Sequence, residues 1–172
     1  MSGQRIFFGL QPPPAIRDAI HAVVRELDRE VEGRATSRAT LHMTLAFLGE
    51  RSPEEVQAAT VVGEALRAQA FELRLDRLQR WPNGILWMGC SEAPAALSAL
   101  ATGIHEGLAA AGAAPSEPRF FPHVTLMRKT HGPFEARTIE PIVWPVSEFA
   151  LIESLRQPSG SEYRNLRAWP LN

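Results

Sequence analysis

Apolar positions along the chain follow two rhythms, a period of two in short runs and a helical spacing in three longer ones. Arg5-Ile6-Phe7-Phe8-Gly9-Leu10 reads as a first strand, broken by Pro12-Pro13-Pro14. Ile16, Ile20, Val23, Val24, Leu27 and Val31 then form one stripe, predicting a helix to about Glu32 that Gly33 closes. Arg34 to Ala39 is a polar loop before a second strand, which ends at Gly49. Ser52-Pro53-Glu54-Glu55 opens a second helix, with a serine cap, proline in the first turn and Glu55 placed for a capping box. That helix is expected to reach Ala70, followed by alternation at Phe71, Leu73 and Leu75. An Asn83-Gly84 turn reverses the chain into Ile85-Leu86-Trp87-Met88-Gly89. Leu97, Leu100, Ile104 and Leu108 mark a third helix, ended near Gly112, and Ala113 to Arg119 is a loop. The Gly/Pro-containing stretch after Lys129 reads as another loop. Val146 to Leu155 and Tyr163 to Trp169 read as two closing strands joined through Pro158-Ser159-Gly160.

Two strands carry the same polar pair: Leu41-His42-Met43-Thr44-Leu45 and Pro122-His123-Val124-Thr125-Leu126. Side chains alternate faces in a strand, so His42 and Thr44 share one face, as do His123 and Thr125. The surroundings repeat as well. Phe8-Gly9 precedes a helix and then His42, 42 − 9 = 33 residues on, and Met88-Gly89 precedes a helix and then His123, 123 − 89 = 34 residues on. Each half is strand, helix, His/Thr strand. Two copies about a pseudo-twofold axis would turn both polar faces into one shared cleft.

With 172 residues, 45% hydrophobic and 22% charged, the chain can bury a core, either as one domain or as two small lobes. A net charge of −1 argues against coating nucleic acid non-specifically, but allows a small phosphate site with local cations. One cysteine, Cys90, excludes an internal disulfide framework and a multi-cysteine metal site. Met1 to Leu10 is too short and polar for a signal peptide, and no run is long and apolar enough to span a membrane. A cytoplasmic monomer with no membrane partner is the expectation.

Two imidazoles across a cleft supply a base and an acid near neutral pH. Phosphoryl transfer without a metal needs that pair, together with donors for the non-bridging oxygens, and two threonine hydroxyls provide such donors. No acidic residue falls at a metal-ligand spacing beside the histidines, so neither metal nor cofactor is expected. Arg128 is a further cation, yet it lies 128 − 123 = 5 residues from His123. A regular strand would turn it away from the cleft, and only a bulge or the strand's end would redirect it. Phe8, Phe47, Trp87 and Phe121 flank the motifs as core or base-stacking residues.

The paired His-x-Thr motifs, the stretch through Ala46-Phe47-Leu48-Gly49, and Phe121-Pro122-His123 with Arg128 beyond resemble the two-histidine phosphoesterase superfamily. Within it the chain is similar to bacterial RNA 2',3'-cyclic phosphodiesterases, also named 2'-5' RNA ligases. The resemblance runs from Phe7-Phe8 to Arg167-Ala168-Trp169-Pro170-Leu171. It implies an α+β fold, bilobal with a pseudo-twofold duplication, over residues 1–172. Two antiparallel sheets would line a central cleft, with helices outside. The implied reaction hydrolyses a 2',3'-cyclic phosphate at an RNA 3' end to a 2'-phosphate, with joining to a 5'-hydroxyl as its reverse. His42 would be the proton donor to the departing 3' oxygen and His123 the proton acceptor that activates water. Thr44, Thr125 and Arg128 would hold the phosphate. Two other readings remain open: a phosphodiesterase acting on a small cyclic-phosphate nucleotide or an oligoadenylate, and a non-enzymatic nucleotide-binding module. Loops such as Arg34 to Ala39 and Pro133 to Pro141 would carry specificity.

Overall fold

The structure is a computed structural model and describes residues 2–172; Met1, which begins the stretch judged too short for a signal peptide, lies outside them. In chain order the elements are β1 (Gln4–Leu10), α1 (Pro14–Glu30), β2 (Glu32–Ala35), a 3-10 turn (Arg38–Thr40), β3 (Met43–Arg51), α2 (Pro53–Ala65), β4 (Phe71–Arg80), β5 (Leu86–Gly89), α3 (Ala95–Ala110), β6 (Val124–His131), β7 (Arg137–Val146), β8 (Glu148–Gln157) and β9 (Gly160–Pro170). No helix among the described residues is long and apolar enough to cross a membrane.

The strands run β7-β4-β5-β6-β3-β1-β8-β9, with β2 added on β6. From the centre outward, β6-β5-β4-β7 on one side answers β3-β1-β8-β9 on the other. Helix α1 links β1 to β3, and α3 links β5 to β6. The two expected antiparallel sheets are thus the four-stranded halves of one continuous sheet, related as the expected pseudo-twofold pair. A single residue pair, Met43 with Val124, joins β3 to β6 and makes the two halves continuous.

Alternation in the central strands separates two faces. Ile6, Phe8 and Leu10 point into the main core, which takes in Ile20, Val24 and Leu27 of α1 and Leu97, Leu100, Ile104 and Leu108 of α3. Each such side chain, fully buried, contributes about 1.5–3 kcal/mol. Phe7 points to the opposite face, where it packs with Ala150, Ile152, Phe47 and Tyr163.

Several boundaries differ from expectation, each because pairing overrides local pattern. Helix α1 stops at Glu30, and Gly33 belongs to a strand, because Glu32–Ala35 pairs with β6. Gly33 sits at the irregularity in that pairing, where an added Cβ would lie 3.0 Å from the Arg128 carbonyl oxygen and from the Thr130 Cα. The expected polar loop Arg34–Ala39 is thus part strand and part 3-10 turn. Helix α2 has its capping box at Ser52 and Glu55 but ends at Ala65, not Ala70. Beyond it the backbone turns to the chain's end: Ala70 N–H donates to Asn172, and Asn172 N–H donates to Ala68. Strand β7 replaces the expected loop through Pro141. It carries Pro141 and Pro145, which an edge strand tolerates because its outer side needs no donors.

Candidate active site

The two motifs lie on the sheet's central strands, on the face away from the helices. His42 and His123 sit one residue before β3 and β6 rather than within them. Their side chains still alternate as expected, with Met43 and Val124 fully buried and Thr44 and Thr125 half-buried on the open face.

Both imidazoles are held the same way. His42 Nδ1 lies 2.8 Å from the Thr40 carbonyl oxygen, and His123 Nδ1 lies 2.8 Å from that of Phe121. A carbonyl only accepts, so Nδ1 carries the proton in each ring and Nε2 is the atom left for chemistry. His42 Nε2 is 2.9 Å from Thr44 Oγ1, which donates to it when the ring is neutral.

The two strands also share a distortion. Gly9 faces Thr44 while Phe8 faces Ala46, leaving Leu45 as the extra residue of a β-bulge. Trp87 faces Thr125 while Leu86 faces Met127, leaving Leu126 extra. Each bulge shifts the alternation by one residue. Leu45 with Ala46, and Leu126 with Met127, are consecutive buried pairs, and the next residues, Phe47 and Arg128, return to the open face. Arg128 thereby reaches the cleft despite its odd spacing from His123. The carbonyls at the bulges are satisfied from outside the sheet. His105 Nε2 donates to the Leu45 oxygen at 2.9 Å, and Thr36 donates through Oγ1 to Thr125 and through N–H to Leu126.

The cleft has two chambers that share Arg5, His42, Thr44, Phe47, Thr125 and Arg128 at their junction. One, of about 510 Å³, is polar and adds Arg34, Arg156, Tyr163 and a set of serines. The other, of about 390 Å³, adds His123, Trp81, Phe121, Arg119 and Glu117. His42 packs against Phe7 (4.9 Å between ring centroids) and edge-on to Tyr163 (5.1 Å). His123 packs edge-on to Trp81 at 4.8 Å. Of the aromatics flagged from sequence, Phe47 and Phe121 line the cleft. Phe8 is fully buried, and Trp87 lies behind Trp81 and Phe121. Phe7, Trp81, Tyr163, Arg5 and Arg156 are new to the site, whereas Arg34 to Ser37 line it from the Arg34 to Ala39 stretch expected to carry specificity. Residues 133–141 do not line it; Pro133 and Phe134 border a separate surface hollow. His131 is paired with Glu32 at 2.6 Å, and His105 serves the bulge.

Burial, followed by the charges of His123, Arg128 and Arg17, pushes His42 down to about 4, against the raising effect of its bond to Thr40. His123 is also lowered, first by burial and then by Arg128, while its bond to Phe121 and the charge of Glu117 act upward. Both rings are therefore neutral at pH 7 in the empty cleft. An anion bound between them and Arg128 would supply the missing counter-charge and raise both. Among the described residues, no group of three or more His, Cys, Asp or Glu side chains is placed to hold a metal ion.

Comparison with known proteins shows the family. The RNA 2',3'-cyclic phosphodiesterase of Escherichia coli strain K12 is 34% identical, over 98% of this chain and 97% of its own length. The Thermus thermophilus protein of the same name is 30% identical over 97% of this chain and 90% of its own. Among solved structures, E. coli LigT complexed with 3'-AMP superimposes with a TM-score of 0.86 at 30% identity, covering 100% of this chain and 99% of that one. The family model of the 2'-5' RNA ligase superfamily matches residues 12–158, and the chain is a member of that superfamily.

Proposed function

We propose that this protein hydrolyses RNA 2',3'-cyclic phosphate ends to 2'-phosphate ends, with His42 and His123 as the acid and base. The observation that carries the reading is the matched pair of rings, each fixed through Nδ1 to a backbone carbonyl and each leaving Nε2 for the cleft. A binding module has no need of two such oriented groups. The relatives named RNA 2',3'-cyclic phosphodiesterase supply the substrate class.

In this reading the cyclic phosphate sits at the junction of the chambers. Thr44, Thr125 and Arg128 hold its non-bridging oxygens, where negative charge grows as the phosphorus becomes five-coordinate. His123 Nε2 takes the proton of the attacking water. The P–O3' bond breaks as the P–O(water) bond forms, and His42 Nε2–H gives its proton to the departing 3' oxygen. His42 acquires that proton as the phosphate binds, because the anion raises its pKa from the low value of the empty site. With a 5'-hydroxyl in place of the attacking water, the same steps in the same direction join two ends through a 2'-5' bond: P–O5' forms, P–O3' breaks, and His123 and His42 keep their roles.

The test is a short RNA ending in 2',3'-cyclic phosphate, incubated in EDTA, with the position of the product phosphate determined. A 2'-phosphate product is expected, and His42→Ala and His123→Ala should each lose about 10²–10⁴-fold in rate. Activity that vanishes in EDTA and returns with a divalent ion would overturn the two-histidine mechanism.

A further inference from the structure

The polar chamber holds cations that the cyclic phosphate does not account for. Arg34 and Arg156 line it beside Ser154, Ser159 and Ser161, and neither lines the chamber that holds Trp81 and His123. Arg34 lies directly opposite Arg128 in the pairing of β2 with β6. Like charges in that position repel unless an anion lies between them. Arg156 approaches from the β8-β9 hairpin, opposite Ser161. Among the described residues, neither Arg34 nor Arg156 meets a carboxylate within ion-pair distance, whereas Arg164 and Arg167 on the outer strand β9 pair with Glu153 and Glu64. Glu117, the carboxylate of the cleft, lines the other chamber.

We infer that Arg34 and Arg156 form a second anion subsite, which takes the phosphate on the 5' oxygen of the terminal nucleotide. The inference rests on the proposed reaction for its orientation, and the connectivity of ribose supplies the rest. From O2' the sugar leads through C2' and C1' to the base. From O3' it leads through C3' and C4' to C5' and its phosphate. His42, flanked by Phe7 and Tyr163, borders the arginine chamber, whereas His123 lines the aromatic chamber alone. With O3' presented to His42, the 5' phosphate falls towards Arg34 and Arg156, and the base falls towards Trp81 and Phe121. The reversed nucleotide would set the 5' phosphate near Glu117 and the base among guanidinium groups, and would present O2' to His42. The subsite thus favours a nucleotide carrying a 5' phosphate over a nucleoside, and it also selects which ester oxygen leaves.

Binding tests this apart from turnover. Calorimetry should show adenosine 2',5'-bisphosphate binding wild type at least about ten-fold more tightly than adenosine 2'-phosphate, as expected for charge-assisted contacts to a second phosphate. In the double variant Arg34→Gln/Arg156→Gln that ratio should fall towards one, and Arg34→Lys/Arg156→Lys should restore most of it. A wild-type ratio near one, or a ratio that the glutamine variant leaves intact, overturns the subsite. Turnover then compares adenosine 2',3'-cyclic phosphate with its 5'-phosphorylated form and with a dinucleotide ending in the cyclic phosphate. The ratios of kcat/KM should follow the binding ratios and show whether a terminal monoester or a chain diester is preferred. Tight, arginine-dependent binding of the bisphosphate with no turnover of any of the three would sustain the subsite and overturn the hydrolase reading instead.

Discussion

At the scale of the residue, protonation decides what the two histidines can do. His42 is held near 4 by burial and neighbouring cations, and His123 is lowered from its ordinary value by the same causes. For the free enzyme, an acid that must be protonated and a base that must be neutral give a bell whose maximum lies between their pKa values. Both are lowered from the ordinary imidazole value, so kcat/KM should peak on the acid side of that value. Phosphate binding raises His42, so kcat should peak at higher pH than kcat/KM. A pH–rate study that resolves the two parameters checks this, and a kcat/KM maximum above pH 7 would show that burial does not govern these rings. The four motif residues were legible because a His-x-Thr pair in a strand is local and occurs twice. Arg128 was legible as a cleft residue only through the family resemblance; its spacing alone pointed it away, since the bulge at Leu126 that redirects it depends on how β5 pairs with β6. Trp81 and Tyr163 carried no local mark of function. They meet His123 and His42 only through tertiary packing, from positions 42 and 121 residues away in sequence.

At the scale of the element, the site depends on two bulges with supports of different kinds. The carbonyl of Leu45 takes its hydrogen bond from His105 on α3, which ties the bulge in β3 to a helix on the other side of the sheet. His105→Leu leaves that carbonyl without its partner, at a cost of about 1–3 kcal/mol. It should also lower kcat more than it raises KM, because Phe47 and Thr44 lie on either side of the bulge. His105→Gln, whose amide N–H donates, should recover most of both losses, whereas a purely space-filling role would be met as well by leucine. Helix α2 makes a different contact: a Cβ on Gly63 would lie 2.3 Å from the Trp169 ring of β9. Alanine favours a helix by about 1 kcal/mol over glycine. Overpacking against a rigid indole costs about 1–3 kcal/mol, so Gly63→Ala should lower the thermal midpoint while leaving activity intact. The helices and the strands β1, β3, β5 and β6 could be read from apolar period and capping. Strand β7 could not, because prolines that forbid a central strand are acceptable at an edge, and edge position is a property of the whole sheet. Strand β2 was hidden for a related reason. Its four exposed residues have no apolar alternation and are extended only because β6 offers partners.

At the scale of the molecule, duplication and charge placement act together. The sheet order reads the same from its centre in both directions, and the equivalent positions after each bulge hold different residues, Phe47 in one half and Arg128 in the other. The symmetry is thus kept for the backbone and for the two imidazoles anchored through Nδ1, while the positions after the bulges have diverged into an aromatic residue and a cation at the junction of the chambers. Net charge conceals this division: the chain carries 18 basic and 19 acidic residues, yet Arg5, Arg34, Arg128 and Arg156 converge on one cavity whose lining includes no carboxylate. Such a protein should grip one end of an RNA and ignore the rest. With two phosphates held, the slope of log affinity against log salt should be about −1.4, from roughly −0.7 per phosphate on a single strand. That slope should be set by a dinucleotide and should not steepen as the oligonucleotide grows to ten residues. Arg34→Gln/Arg156→Gln should bring it to about half, since one phosphate contact is lost. Binding measured against salt for a length series of non-hydrolysable 2'-phosphate ends checks all three expectations. A slope that rises steadily with length would mean that the RNA follows a basic track outside the cleft, and that the molecule reads the strand rather than its end.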